Sequence, residues 1–389
     1  MKNRKRSKGP ADSLLGLLFP AVLLLVMVIN LIVPDREMSE AENRKLAEKP
    51  QLSMNNAAGR DFMEQYENYA ADQFAARDIW RSIRVSLSRL GGSRMENGVY
   101  IGKNGRLFEE IAVPDQGQMS GNLTAIKSFA DRYPDIPVSM ILVPDAACVL
   151  NESLPTFAAV EDQSQLISMV KNELGDSVSW IDAVSVLNRH RSENIYYKTD
   201  SRWTSLGAFY VFQEAAPVLG IEEDVSDDFV SYAVSDDFNG GLSSKSGVFL
   251  DETEQIDIYV PATGDNDLTV TYVDDGRKTT SIYDSSKLET KDQYEVFLGG
   301  DTSVADIRTV STDSDRLLVV KDSFADCFIQ FLTPFYREIV VADPRYCTET
   351  LDELMDTYRI TDVLILYSGN TFFTDNNISG VFTGGQSDQ

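Results

Sequence analysis

The chain has 389 residues, with 35 Lys/Arg, 61 Asp/Glu and one histidine, for a net charge of −26. So acidic a chain excludes nucleic acid as a partner, and excludes broad contact of its bulk with anionic lipid, because both would repel it. Three cysteines are too few and too scattered for a disulfide framework, and one histidine leaves no His/Cys set for zinc.

Lys2, Arg4, Lys5, Arg6 and Lys8 form a basic cluster, and residues 14–33 are apolar apart from Gly16, Pro20 and Asn30. About 20 apolar residues span a bilayer core. The basic flank then stays cytoplasmic and the bulk of the chain lies outside. A cleaved signal peptide is the competing reading. The length of the run, and Pro34-Asp35-Arg36-Glu37 in place of a small-x-small site, favour an uncleaved single-pass anchor in the cell membrane. Residues 1–33 carry a net +4, which leaves −30 on the remainder. That charge suits a cation-rich cell wall or simple solubility.

Residues 1–13 are thus expected as a cytoplasmic tail, 14–33 as the anchor, 34–60 as a polar stalk and 61–389 as an extracellular domain. Within 61–90, Phe62, Tyr66, Tyr69, Phe74, Ile79, Trp80, Ile83, Val85, Leu87 and Leu90 recur at helical spacing and read as core, with a glycan groove the alternative for Tyr66, Tyr69, Phe74 and Trp80. Gly91-Gly92 ends the pattern. Residues 99–108 read as a hairpin around Asn104-Gly105.

Strands and helices then alternate. The pattern predicts strands at 138–143, 178–181, 317–320, 338–341 and 363–367, and helices at 166–174, 204–219, 324–332 and 351–358. This is an α/β class with a mostly parallel sheet and helices on both faces. Residues 221–315 are polar and turn-rich, with strand-like pieces at 256–260, 268–273 and 295–298, and read as a β-rich insertion. Val225-Ser226-Asp227-Asp228-Phe229 recurs as Val234-Ser235-Asp236-Asp237-Phe238, a single echo and no repeat architecture. The acidic pairs within it lack a calcium-loop spacing and read as solvated turns. No metal and no cofactor are implied.

Lys321-Asp322-Ser323-Phe324-Ala325 puts a serine where a buried strand gives way to a helix, at the carboxyl edge of the sheet. A helix start there would supply N–H groups for an oxyanion. Read alone, the same pattern is a helix cap. Together with Tyr196-Tyr197-Lys198-Thr199-Asp200-Ser201-Arg202-Trp203-Thr204 it resembles the DHHW family, relatives of the SGNH hydrolases and of the alginate O-acetylation proteins. Further blocks carry the resemblance: Glu42-Asn43-Arg44, Asn97-Gly98-Val99-Tyr100-Ile101-Gly102, Phe297-Leu298-Gly299-Gly300 and Asp343-Pro344-Arg345-Tyr346.

The resemblance implies an SGNH-like fold and a triad of Ser323 as nucleophile, Asp200 as orienting carboxylate and a histidine at 202. Arg202 stands there instead, and Ser201 stands for the preceding histidine. Histidines are also expected at Thr302 and Phe335, and both are absent. A guanidinium keeps its proton and cannot be a general base. A serine hydrolase without one triad member keeps only about 10³–10⁴-fold over water. Lys321, if burial lowered its pKa, and His190, if relocated, are the substitute bases. Arg202 beside Asp200 reads as an internal ion pair, or as an anion site that binds a sugar carboxylate or phosphate bidentately. Ligand contacts are expected at Arg202, Lys321, Trp203 and Asp301. Two functions stand: a catalytically degenerate binder of a cell-surface glycan or scaffold for envelope-assembly proteins, and an active O-acetyltransferase or esterase acting on a cell-surface polysaccharide through Ser323.

Overall fold

The computed structural model describes residues 10–39, 41–51, 60–156, 158–248, 250, 252–263 and 267–384. The basic cluster at 2–8 and stalk residues 52–59 lie outside them. The chain divides into two units, Met1–Gly92 and Ser93–Gln389.

The first unit contains α1 (Pro10–Ile32), a short antiparallel pair β1 (Met38–Ser39) and β2 (Arg44–Lys45), then α2 (Arg60–Asp72) and α3 (Arg77–Leu90). The side chains of residues 10–17 and 19 lie outside the described residues; among the described residues no helix is long and apolar enough to cross a membrane. The stretch after α1 is folded rather than a free stalk. Arg44 makes a bidentate pair with Asp72 at 2.6 and 2.8 Å, the Ala47 N–H donates to the same carboxylate, and Leu46 and Ser39 are buried. Glu42 accepts from Arg77 and pairs with Arg44. The helical pattern at 61–90 forms two helices, but its apolar side does not become core: Val85 is the one buried residue of α3.

The second unit begins with a three-stranded meander, β3 (Met95–Glu96), β4 (Val99–Ile101) and β5 (Leu107–Glu109). Its two turns hold Asn97-Gly98 and Asn104-Gly105, all four at positive φ, the conformation such hairpins demand and this residue pair tolerates. Then follow α4 (Gln116–Arg132), β6 (Val138–Val143), α5 (Ala146–Val149), α6 (Gln163–Leu174), β7 (Ser179–Ile181), α7 (Ala183–Arg189) and α8 (Ser205–Ala215). The region 221–315 supplies β8 (Phe229–Phe238), α9 (Gly241–Ser246), β9 (Glu254–Pro261), β10 (Leu268–Tyr272), β11 (Lys278–Thr279) and β12 (Val304–Thr309). The chain closes with β13 (Arg316–Lys321), β14 (Glu338–Ala342), α10 (Leu351–Tyr358), β15 (Asp362–Ser368), α11 (Gly369–Thr374) and α12 (Ile378–Thr383).

The central sheet has the order β11-β10-β12-β14-β13-β15-β6-β7. From β14 to β7 every pairing is parallel, which gives the α/β fold with a mostly parallel core. Both faces are covered. Leu317, Val319, Ile339, Val341, Leu364 and Leu366 face one core with α7 and α8; Leu318, Val320, Val340, Val363 and Ile365 face the other with α4, α6, α10 and α12. Strands buried on two sides need apolar residues at every position, hence their unbroken apolar runs.

The β-rich stretch is not a separate appendage. β10, β11 and β12 extend the central sheet antiparallel from β14, while β8 and β9 pair apart as a bulged hairpin. Two expectations fail. Residues 295–298 form a 3-10 turn (Gln293–Val296) rather than a strand, and 324–332 form two short 3-10 turns rather than a helix.

Candidate active site

The carboxyl ends of β6, β15, β13 and β14 bring the candidate residues together. Ser323 follows β13, half-buried, and opens a turn of only Ser323–Ala325. With no helix there, the expected macrodipole is missing. Asp322 is fully engaged as a clamp: Oδ1 accepts from Phe324 N at 2.9 Å, and Oδ2 accepts from Ser368 N at 3.0 Å and Ser368 Oγ at 2.7 Å. It ties the ends of β13 and β15. Among the described residues the Ser323 hydroxyl has no hydrogen-bond partner.

The second segment docks beside it. Trp203 donates its indole N–H to the Phe324 carbonyl at 2.7 Å and lies parallel to Phe328, 6.2 Å away. It is completely buried. Its role is therefore to anchor residues 200–203 next to Ser323, and it offers no surface to a ligand. Glu254 on β9 fixes the preceding turn, accepting from Lys198 N, Thr199 N and Thr199 Oγ1 at 2.6–2.8 Å.

Arg202 closes on Asp200. Its backbone N–H and Nε donate to Oδ1 at 3.1 and 2.7 Å, and Nη2 donates to Oδ2 at 2.9 Å. Nη2 also reaches Asp292 Oδ1 at 2.9 Å, and the guanidinium carbon stands 3.9 Å over the Tyr294 ring. Asp200 receives a further bond from Gly241 N at 2.7 Å. Burial acts to raise the Asp200 carboxyl; the charge and hydrogen bonds of Arg202 outweigh it, and the pKa falls below its ordinary value. Burial acts to lower Arg202, but Asp200 and Asp292 hold it well above its ordinary value. It stays charged, and its bidentate edge is occupied. Of the two readings of Arg202 beside Asp200, this is the internal ion pair, and the edge an outside anion would use bidentately is taken.

The same clasp recurs at the end of β14. Arg345 N and Nε donate to Asp343 Oδ1 at 3.1 and 2.9 Å, and Nη2 donates to Oδ2 at 2.6 Å. Asp-x-Arg is thus a local ionic staple in this chain. Asp343 also stands 3.6 Å from the Lys321 ammonium, which pairs with Asp326 at 2.7 Å. Lys321 is completely buried, and burial alone would lower its pKa; Asp326 and Asp343 reverse that and raise it. Lys321 is neither a base nor a ligand contact. Asp301 is exposed, accepts from the Tyr346 hydroxyl at 2.8 Å and lies 3.8 Å from Arg345.

His190 sits at the end of α7, stacked on Tyr210 at 3.6 Å with Nδ1 2.8 Å from Glu193, and makes no contact with Ser323. Thr302 precedes β12 on the serine's edge of the sheet, but Phe335 precedes β14 and so lies at the opposite edge, packed on Phe212. No catalytic histidine could act from position 335.

Several participants were missed from sequence, Asp292 on Arg202 and Glu254 on the turn before it among them. Gly240 and Gly241, read as simple turn residues, back Asp200: a Cβ at Gly240 would stand 2.5 Å from the Asp200 side chain. Asp145, buried after β6, accepts from Gln163 Nε2 at 2.5 Å and Asn370 N at 2.9 Å. Burial pushes its carboxyl up to about 7. The one available signal was Pro144-Asp145 ending an apolar strand run. Near these ends an open cleft of about 770 Å³ is lined by Lys245, Arg345, Asn370, Thr371, Thr374 and Asn377 with Glu109 and Glu110. Ile111, Ala112 and Val113 complete the lining, which mixes apolar surface with both signs of charge. The cleft offers ionic and hydrogen-bonding recognition, and among the described residues neither Lys321 nor His190 bonds to Ser323.

A family model described as "DHHW protein" matches residues 136–342. The crystal structure of a DHHW family protein from Eubacterium siraeum is 21% identical, covers 74% of this chain and 96% of its own, and has a TM-score of 0.63. Bacillus cereus PatB1 is similar at 17% identity, 74% and 97% coverage and a TM-score of 0.61 in its form with a sulfonyl adduct. A second PatB1 structure is 19% identical, covers 70% of this chain and 96% of its own, and has a TM-score of 0.60. At these identities the likeness is one of fold. No curated protein matches the chain.

Proposed function

Because this chain belongs to the DHHW protein family, we propose that it is a membrane-anchored extracellular protein of the cell envelope whose hydrolase-like site binds glycan or serves envelope assembly without serine chemistry. The apolar run at 14–33 behind a basic flank supports anchoring with the bulk outside. The charged and amide side chains lining the cleft beside Arg345 support a ligand that exchanges hydrogen bonds.

One observation carries the loss of chemistry. Arg202 occupies the base position and is bound on Asp200 and Asp292. Among the described residues the hydroxyl of Ser323 has no hydrogen-bond partner to take its proton, which supports the reading. Lys321 and His190, the two substitutes, are committed elsewhere.

Fluorophosphonate labelling of the full chain in detergent tests this reading. No labelling of Ser323 is expected. Strong labelling that disappears in Ser323→Ala reinstates the alternative, an O-acetyltransferase or esterase of a cell-surface polysaccharide. Retention on polysaccharide arrays reads the binding half, and absence of any retention leaves the scaffold role.

A further inference from the structure

The apolar stripe of α3 is the feature this function does not absorb. Ile79, Trp80, Ile83, Leu87 and Leu90 recur at helical spacing, and all are exposed, from 44% for Ile83 to 85% for Leu90. They cover an arc of about 100° on the side of α3 opposite Arg77, Arg81 and Val85, which face the rest of the unit. Residues 77–90 also carry four arginines against one aspartate, in a chain whose residues 34–389 carry −30. Arg84 and Arg89 stand at the surface of this helix.

The position of α3 within its unit shows what faces the stripe. The Ala75 N–H, just before α3, donates to Asn30 Oδ1 near the end of α1 at 2.7 Å. Arg36, four residues after α1, donates to Asp78 in the first turn of α3 at 3.0 Å, and Tyr69 of α2 bonds Asp35 at 2.9–3.0 Å. α3 therefore starts at the level where the apolar helix ends, beside the exposed Leu31 and Ile32. A helix with a tryptophan and aliphatic stripe and arginines outside it, its first turn held at that level, has the composition of one lying in the membrane interface.

We propose that α3 is an interfacial helix that docks its Ile79/Trp80/Ile83/Leu87/Leu90 stripe on the outer surface of the anchoring membrane, at the boundary of headgroups and acyl chains. This rests on the reading of residues 14–33 as an anchor. Docking fixes the orientation of the first unit on the bilayer instead of leaving it free on a tether.

The test uses the full chain in phosphatidylcholine/phosphatidylglycerol vesicles with bromines high on the acyl chains. Two measurements are made on each sample: resistance to alkaline carbonate extraction, and quenching of tryptophan emission relative to unbrominated lipid. Resistance together with loss of most of the Trp80 emission, a loss absent in Trp80→Phe and abolished in Ile83→Ser/Leu87→Ser, is the expected result. Resistance with an unquenched Trp80 overturns docking alone, and means that another part of the chain or a second copy covers the stripe. Equal quenching in the double serine variant also overturns it. Release by carbonate overturns the anchor reading and this inference with it.

Discussion

Replacing Arg202 by alanine tests the ionic staple directly. Asp200 is 1% exposed, and in the native chain its charge is met by the guanidinium at 2.7 and 2.9 Å, with Gly241 N and its own local backbone supplying the rest. Alanine leaves those two N–H donors but no cation. Removing one partner of a buried pair costs about 3–5 kcal/mol, because the charge that remains is uncompensated. For a unit of this size that is a fall in Tm of roughly 5–8 °C. The pH dependence makes the test specific. In the native chain the Asp200 pKa is lowered, so its contribution is complete above the unfolded carboxylate pKa of about 3.9 and is lost as pH falls through the lower folded value. In the variant, burial is unopposed and the folded pKa rises, so the penalty is complete at neutral pH and fades as the carboxyl protonates. The gap between native and Arg202→Ala should therefore be large at pH 7 and shrink toward pH 4. Thermal melts of the detergent-solubilised chain, followed by circular dichroism across that range, measure it. A gap below about 1 kcal/mol at pH 7, or one that does not shrink in acid, refutes the staple.

Three further outcomes are expected. Lys321→Met strands Asp326 and should cost about 3–5 kcal/mol, while Lys321→Met/Asp326→Leu should recover most of it; chemical denaturation of both variants reads the difference. Gly240→Ala drives a Cβ into Asp200 and should cost about 1–3 kcal/mol by the same assay, with no effect if the loop simply moves away. Asp145 is held with its carboxyl raised to about 7, so it favours the fold while protonated and opposes it as pH climbs from about 4 through 7. Asp145→Asn should be the more stable form at pH 8 and lose that advantage at pH 5, and a constant difference between the two pH values would exclude a raised carboxyl.

The parallel strands, the hairpin around Asn104-Gly105 and the edge that carries Ser323 were all legible in the chain. So was the absence of a base at 202, since that is a matter of residue type. These are local properties: a strand buried on both faces must be apolar throughout, and an Asn-Gly pair is the one that tolerates two positive φ values. The long helix Gln116–Arg132 was not legible, because its apolar residues are interrupted by Gly117, Gly121 and a run of polar positions.

What the sequence determined by itself was the fold class, the family and the identity of the residues at the site. Tertiary structure decided who neutralises whom and what covers each apolar face. Arg202 meets Asp292 across 90 positions, and Asn30 meets Ala75 across 45, pairings that no local pattern records. The stripe on α3 shows the other half of the division. Helical spacing states that a face is apolar, and only the packed chain shows that among the described residues nothing in its own unit lies over it, because burial depends on every neighbour at once and periodicity on the helix alone.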